Sequence, residues 1–479
     1  MTATMLARDH TRSAEGQELV QPVALERSSL PPVVRCLPSP LRKRGKKAHN
    51  HAKKMLERIE RFVAEGRTRD AAQLARRYGH SHDAKFVALF DANKKLPRGL
   101  RTKGAELHKI ADEMDLRQPQ GSASYRPEPK PKGGYRPVVN FDLPARAAQL
   151  LLKRVVRPFL RIREDQFAVE NGGAPEEGRR IRDLAAKGYG WFIEGDIANC
   201  YASIDPDGVK ELLGGNLGRM MEANALSRSV RASIRKTRRK ISSIDLSNLQ
   251  QQVRAGVPQG SSLSPLLTEA VIASVIDDAE RHSDWPKTVH LTCHADNIAI
   301  LSRTKADAGC AADILREAFT RSRFGPLKLL CKDARSIKQG FDFLGIRFIA
   351  KRRRVYAEVS PAKMSECVTW ISTMVEGYRM LRKNIKRHVR ERGSPMDRRQ
   401  KGRPLTREEQ LEDIKRRVRS WGASMGLRKN GRPLTRAAQW ANSVLSYALD
   451  FQMRGRALRM QASYQHRVLH QPSFMYEHG

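Results

Sequence analysis

The sequence predicts an α+β fold on three observations. Strand-like runs at 135–141, 190–197, 288–293, 298–302 and 341–349 alternate with helical segments, without the regular strand–helix–strand repeat of a parallel sheet. Residues 53–115 carry apolar side chains at helical spacing, as in MLERIERFVAEG and AAQLARRYG. The tail, 360–479, reads as mostly helical and strongly basic.

In chain order, residues 1–40 are polar and aperiodic, and the basic run LRKRGKKAHNHAKK follows at 41–54. The division expected is a loose basic leader at 1–48, a helical extension at 49–118, a central α+β region at 119–350 and a basic helical region at 351–479. Pro and Gly in YRPEPKPKGG (125–134) end the first helical stretch, and YRPVVNF reads as a strand with a helix at 143–163 behind it. In the tail the hexamer GRPLTR occurs at 402–407 and again at 431–436. Each copy is a turn followed by a helix start, and Thr406 with Glu409 forms a capping box. Arg403, Arg407, Arg432 and Arg436 of these copies are candidate phosphate contacts.

Lys and Arg number 90 against 51 Asp and Glu, a net charge of +39. That excess calls for a polyanionic partner, nucleic acid above all. No apolar run approaches the ~20 residues of a membrane span, and the N-terminus lacks the apolar core of a secretory signal. The six cysteines are scattered with no CxxC pair, which speaks against a zinc ribbon or disulfide framework and suits a cytoplasmic protein.

Two acids stand out. WFIEGDI (191–197) reads as a buried strand with Asp196 inside its apolar run, where an unpaired carboxylate is costly and a metal is a natural partner. Asp205, followed by Pro206, is by contrast an ordinary helix cap. In LTCHADNIAIL (291–301) two alternating runs flank a short polar link, which predicts a hairpin with Asp296 at its tip. Between the acids lies AGVPQGSSLSPLL, a loop leading into an apolar helix. Gly256 and Gly260 there would let backbone approach a ligand, and Gln259 supplies both donor and acceptor.

These segments, YRPVVNF, FIEGDIANCYASI, GVPQGSSLSPLL, HADN, LKLLCKD and FDFLGIRF, occur in order over about residues 120–350 and resemble bacterial reverse transcriptases of the group II intron, retron and defence-associated kind. The resemblance implies a right-hand polymerase: fingers, a palm built on an antiparallel sheet, and a helical thumb. It implies an RNA-directed DNA polymerase that binds an RNA template or a dedicated non-coding RNA, takes dNTPs and makes DNA, in phage defence or a retroelement. Two Mg²⁺ or Mn²⁺ ions would be held by Asp196, Asp296 and the Ile197 carbonyl. Arg136, helped by Lys130 or Lys132, would contact the triphosphate, Tyr201 would exclude a ribose 2′-hydroxyl, and Gln259 would lie beside the nucleotide. Lys332 is assigned near the pyrophosphate, although it falls one residue short of the usual spacing. Asn297 stands where the family has a second Asp; it keeps an oxygen that can ligate or accept, without the charge. His294 stands where the family has Tyr. The competing readings are a catalytically silent RNA-binding protein of this fold, and a template-independent or protein-primed polymerase.

Overall fold

The computed structural model describes residues 39–96, 98–130, 133–234, 241–351, 354–363, 366, 428–429 and 432–433. Four helices open the described chain: α1 (Ser39–Ala64), α2 (Thr68–His80), α3 (His82–Lys94) and α4 (Gly104–Glu113). The strands β1 (Ala123–Pro129) and β2 (Tyr135–Phe141) form an antiparallel hairpin. Helix α5 (Leu143–Val156) follows, started by Asp142, whose side chain accepts from Ala145 N at 3.1 Å. After α6 (Gly173–Ala186) and β3 (Trp191–Ile197) come the short helices α7 (Cys200–Ser203), α8 (Pro206–Glu211), α9 (Gly215–Ala225) and α10 (Ser227–Val230). A two-residue strand β4 (Ser233–Ile234) joins the β1–β2 hairpin in parallel with β1. The helices α11 (Ser243–Arg254) and α12 (Ser264–Glu280) lead to β5 (Val289–His294), β6 (Asn297–Ser302) and α13 (Lys305–Thr320). The short strands β7 (Leu329–Cys331) and β8 (Arg335–Ser336) precede β9 (Phe341–Phe343), β10 (Ile346–Lys351) and β11 (Arg354–Val359); β12 (Arg428–Lys429) and β13 (Arg432–Pro433) pair with each other.

The central sheet runs β5-β6-β3-β7, with β8 also on β3, and every pairing in it is antiparallel. Alternation along β3 sets its two faces. Ile193 and Ile197, with Ile298 and Ile300 of β6, enter the main apolar core, which also takes in α12 and α13. Helix α12 is buried nearly all round, the pattern of a central core helix. Phe192, Ala299 and Leu301 face the other way, into a second core with α6 and the β9-β10-β11 sheet. Glu194 and Asp196 share that second face, at the end those elements leave uncovered. The N-terminal helices belong to the same main core as α12, so they are packed against the central region as one body with it.

The structure departs from the sequence expectations in several places. Helix α1 starts at Ser39, inside the stretch expected to be a loose leader; its Ala48 and Ala52 reach the core, which supplies the stabilisation that a polar sequence hides. The helix expected over 143–163 ends at Val156, with a 3₁₀ turn at Arg157–Phe159 where Pro158 lacks an N–H. The run 341–349 is two strands, because Leu344 and Gly345 take positive φ (51° and 80°) and fold β10 back on β9. Residues 354–359, assigned to a helical region, form β11 antiparallel to β10. Arg403, Arg407 and Arg436 lie outside the described residues, as does the Thr406–Glu409 capping box; Arg432 is described only as backbone in β13. Among the described residues no helix is long and apolar enough to cross a membrane.

Candidate active site

Strand β3 delivers Asp196, and the β5–β6 turn delivers Asp296. The turn is tight: Ala295 has φ +55°, and Ile197 N donates to the Asp296 carbonyl oxygen at 3.1 Å. Asp196 pairs in register with Asn297, so the strand register brings the turn carrying Asp296 beside Asp196 although a hundred residues separate the two acids in sequence. Asp196 is exposed and Asp296 half-buried. Burial, then the Asp196 charge, pushes the Asp296 carboxyl above its ordinary value. Asn297 Nδ2 donates to Asp296 Oδ1 at 3.2 Å.

A cleft of about 430 Å³ opens over this pair, and Lys130, Arg136, Ile197, Tyr201 and Gln259 line it together with both acids. They arrive from four parts of the chain: the β1–β2 hairpin, β3 with α7, the loop 256–260 and the β5–β6 turn. Lys130 and Arg136 come from the β1–β2 hairpin. Lys130 Nζ donates to Asn199 Oδ1 (3.1 Å), and Arg136 pairs with Glu128 across the hairpin (2.9 Å). Tyr201 is held on α7; burial, then the Asp296 charge, pushes its phenol up to about 12, so it stays neutral.

The loop 256–260 ties these parts together. Gly256 has φ +59°, and a Cβ there would stand 2.0 Å from the Tyr201 carbonyl oxygen; Val257 N donates to that same oxygen (2.9 Å). Gly260 has φ +114°, with a Cβ position 2.3 Å from the Val139 carbonyl oxygen, and Val139 N donates to the Gln259 carbonyl oxygen (2.8 Å). The glycines therefore admit the close approach of the chain's own backbone at Tyr201 and Val139. The effect is to seat Gln259 between Tyr201 and the hairpin strand.

Lys332 stands apart from this cleft. It lines an adjoining cleft of about 550 Å³, and its Nζ lies on Glu194 Oε2 at 2.7 Å. The antiparallel register explains this: Lys332 N donates to the Glu194 carbonyl oxygen, one pleat away from Asp196. Lys132 lies outside the described residues.

Sequence reading passed over two features. Asn199, at φ +49°, both begins α7 and receives Lys130; an Asn just after a strand end is a signal for such a turn. Glu177 of α6 is fully buried beneath the hairpin, accepting from Thr292 Oγ1 (2.9 Å) with His294 Nδ1 at 3.1 Å. Burial pushes its carboxyl up, and the His294 and Thr292 contacts oppose that. His294 thus has a buried carboxylate partner that its sequence position, more than a hundred residues away, does not reveal.

The model for the family described as "Reverse transcriptase (RNA-dependent DNA polymerase)" matches residues 128–348. No curated protein matches the chain. The residues that line the cleft, from Lys130 to Asp296, all fall within this matched span, so the site lies in a region of the chain, residues 128–348, that is similar to reverse transcriptases.

Proposed function

We propose that the protein is an active RNA-directed DNA polymerase whose nucleotidyl transfer takes place over Asp196 and Asp296 with two divalent ions, Mg²⁺ or Mn²⁺. The observation that carries this reading is the convergence of both acids with Lys130, Arg136, Tyr201 and Gln259 in one cleft. The donor set fits such ions. Mg²⁺ is typically held by one or two carboxylates, with water and substrate phosphates completing its shell. Among the described residues no group of three or more His, Cys, Asp or Glu is placed to hold a metal. The raised Asp296 carboxyl beside Asp196 is what a pair awaiting a cation would show. When bound, the ions would lower the pKa of the primer 3′-hydroxyl and offset charge on the phosphate in transfer.

The chain's own groups do the rest. Arg136 and Lys130 exchange Glu128 and Asn199 for the triphosphate of the incoming dNTP. The neutral Tyr201 ring packs under the sugar and leaves no room for a 2′-hydroxyl. Gln259 sets the nucleotide's position, and the Asn297 amide orients the Asp296 carboxylate through its hydrogen bond. The net charge of +39 and the tail arginines Arg403, Arg407, Arg432 and Arg436 support a dedicated structured RNA as partner, with work in phage defence or a retroelement in the cytoplasm.

The test is primer extension on an RNA template by purified Asp196→Ala and Asp296→Ala proteins with wild-type melting curves. Synthesis should fall by orders of magnitude. Near-normal extension by the Asp296→Ala protein would sink the proposal. Sequencing of nucleic acids that copurify with the wild type and with the Asp296→Ala protein identifies the RNA.

A further inference from the structure

The central sheet has a second functional-looking end. At the end opposite Asp196, strand β5 begins, β6 finishes and the chain enters β3 from α6. The Tyr189 and His290 rings meet there edge to face, 4.5 Å between centroids. Arg303 lies over the Tyr189 ring, 5.0 Å from its centroid. Arg180 of α6 and Lys187 just beyond it approach the same spot: the His290 imidazole is held below its ordinary value first by burial and then by Arg180, Lys187 and Arg303. The two rings are half-buried while the three cations are exposed.

The cations differ from their neighbours. Arg179 and Arg182 of the same helix are ion-paired with Glu176 (2.6 Å) and Asp183 (2.8 Å). Arg180, Lys187 and Arg303 have no ion-pair partner among the described residues, and Asp165, the acid that acts on His290, is paired with Arg163 at 2.8 Å. Three uncompensated cations around an anchored aromatic pair are what single-stranded nucleic acid uses: phosphates take the charge, and bases stack on rings and guanidinium planes. The scaffold is rigid, since His290 is paired with Leu301 in the sheet and Tyr189 N donates to the Leu184 carbonyl oxygen (3.2 Å). His290 is level with Leu301 and Phe192, so four strand steps at ~3.3 Å put it about 13 Å from the acid pair, and an occupant here leaves the cleft free.

We propose that the Tyr189–His290–Arg303 corner is a second binding site for single-stranded RNA, holding two or three nucleotides away from the catalytic cleft. RNA is held by Arg180, Lys187 and Arg303 through its phosphates and by Arg303 and Tyr189 through a stacked base. The site needs no polymerisation, so it stands or falls independently of the proposed activity.

The experiment uses the full chain and a 20-nucleotide oligouridylate, with the cleft filled by a primed RNA–DNA hybrid. Ultraviolet crosslinking and peptide mapping should mark the peptide that carries Tyr189. The triple substitution Arg180→Gln, Lys187→Gln, Arg303→Gln should lower the slope of log affinity against log salt by about 2, at ~0.7 per phosphate contact. Tyr189→Leu should weaken binding about tenfold and leave the slope alone. Absence of the Tyr189 crosslink in the wild type would overturn the proposal without recourse to any variant. So would an unchanged slope, or wild-type affinity in Tyr189→Leu. Competition by polyglutamate that Tyr189→Leu does not affect would assign the corner to an acidic protein instead, and would equally overturn it.

Discussion

Replacing Asn297 by Asp adds a negative charge at the β5–β6 turn of the proposed active site, and the structure sets the size of the effect. In the wild type Asn297 Nδ2 donates to Asp296 Oδ1 at 3.2 Å. The substitution removes that donor and sets a second negative charge beside an acid whose carboxyl is already raised by burial and by Asp196. Two like charges ~4 Å apart repel by about 1 kcal/mol in water and about 4 kcal/mol at an effective dielectric of 20. The metal-free Asn297→Asp site is therefore strained, with Asp296 holding its proton to higher pH. A divalent ion reverses the balance. An added carboxylate ~5 Å from a doubly charged ion attracts it by about 1.7 kcal/mol in water and about 6.6 kcal/mol at a dielectric of 20. Asp196 is exposed and the cleft is open, so the low end applies, and about 1.4 kcal/mol is tenfold in concentration. The expected result is an active Asn297→Asp enzyme that reaches half-maximal rate at about one tenth of the wild-type Mg²⁺, with wild type favouring Mn²⁺. The assay is extension rate against metal concentration for both proteins on one primed RNA. Equal Mg²⁺ requirements would refute the electrostatic reasoning. A wild type inert with every metal, rescued by Asn297→Asp, would make Asn297 an inactivating change and the protein an RNA-binding scaffold.

Two further predictions rest on the same site and one on the core helix behind it. Tyr201→Ala should raise ribonucleotide use relative to deoxynucleotides by ~10-fold or more, about 1.4 kcal/mol of discrimination; a wild type that already uses both equally would show that the ring is no gate. Gly256→Ala must place a Cβ 2.0 Å from the Tyr201 carbonyl oxygen at φ +59°, so the loop should shift at a cost of about 2–5 kcal/mol, visible as a lower melting temperature with weakened nucleotide discrimination; an unchanged melt would contradict the packing described. Glu269, buried on α12, accepts from Ala168 N and Val169 N through Oε1 while Oε2 has no partner, and burial raises its carboxyl. The folded state thus binds this proton more tightly than the unfolded chain. The stabilisation is complete below the ordinary carboxylate value and is lost as pH rises through the raised one. Glu269→Gln should therefore gain on wild type in melting temperature from pH 4 to pH 8, and a flat difference across that range would exclude it.

Local physics made much of the chain legible in advance. An apolar run marked β3 and alternation marked the β5–β6 hairpin, and Asp205 before Pro206 is indeed a helix cap, its side chain accepting from Asp207 N at 3.2 Å. The loop rich in glycine and serine does run into the apolar helix α12. Failures came where long-range packing overrode local pattern. The polar start of α1 is helical because a few alanines reach a core made by distant helices. Strand β11 exists because β10 offers it an edge and Val355 and Ala357 a face of the second core.

The sequence by itself determined which chemical groups were available: two acids in strand contexts, an aromatic five residues after the first, a glycine-flexed loop and a basic hairpin. Only the tertiary structure decided that seven of these residues share a cleft, that Lys332 pairs with Glu194 outside it, and that the glycines are needed against Tyr201 and Val139. It alone placed Glu177 under His294, and Asn199 against Lys130. The reason is one of range. Periodicity and capping report on neighbours within a few residues, whereas β3 and β6 meet across a hundred, and which side chains then face one another is fixed by strand register, a property of the pair that neither strand carries alone.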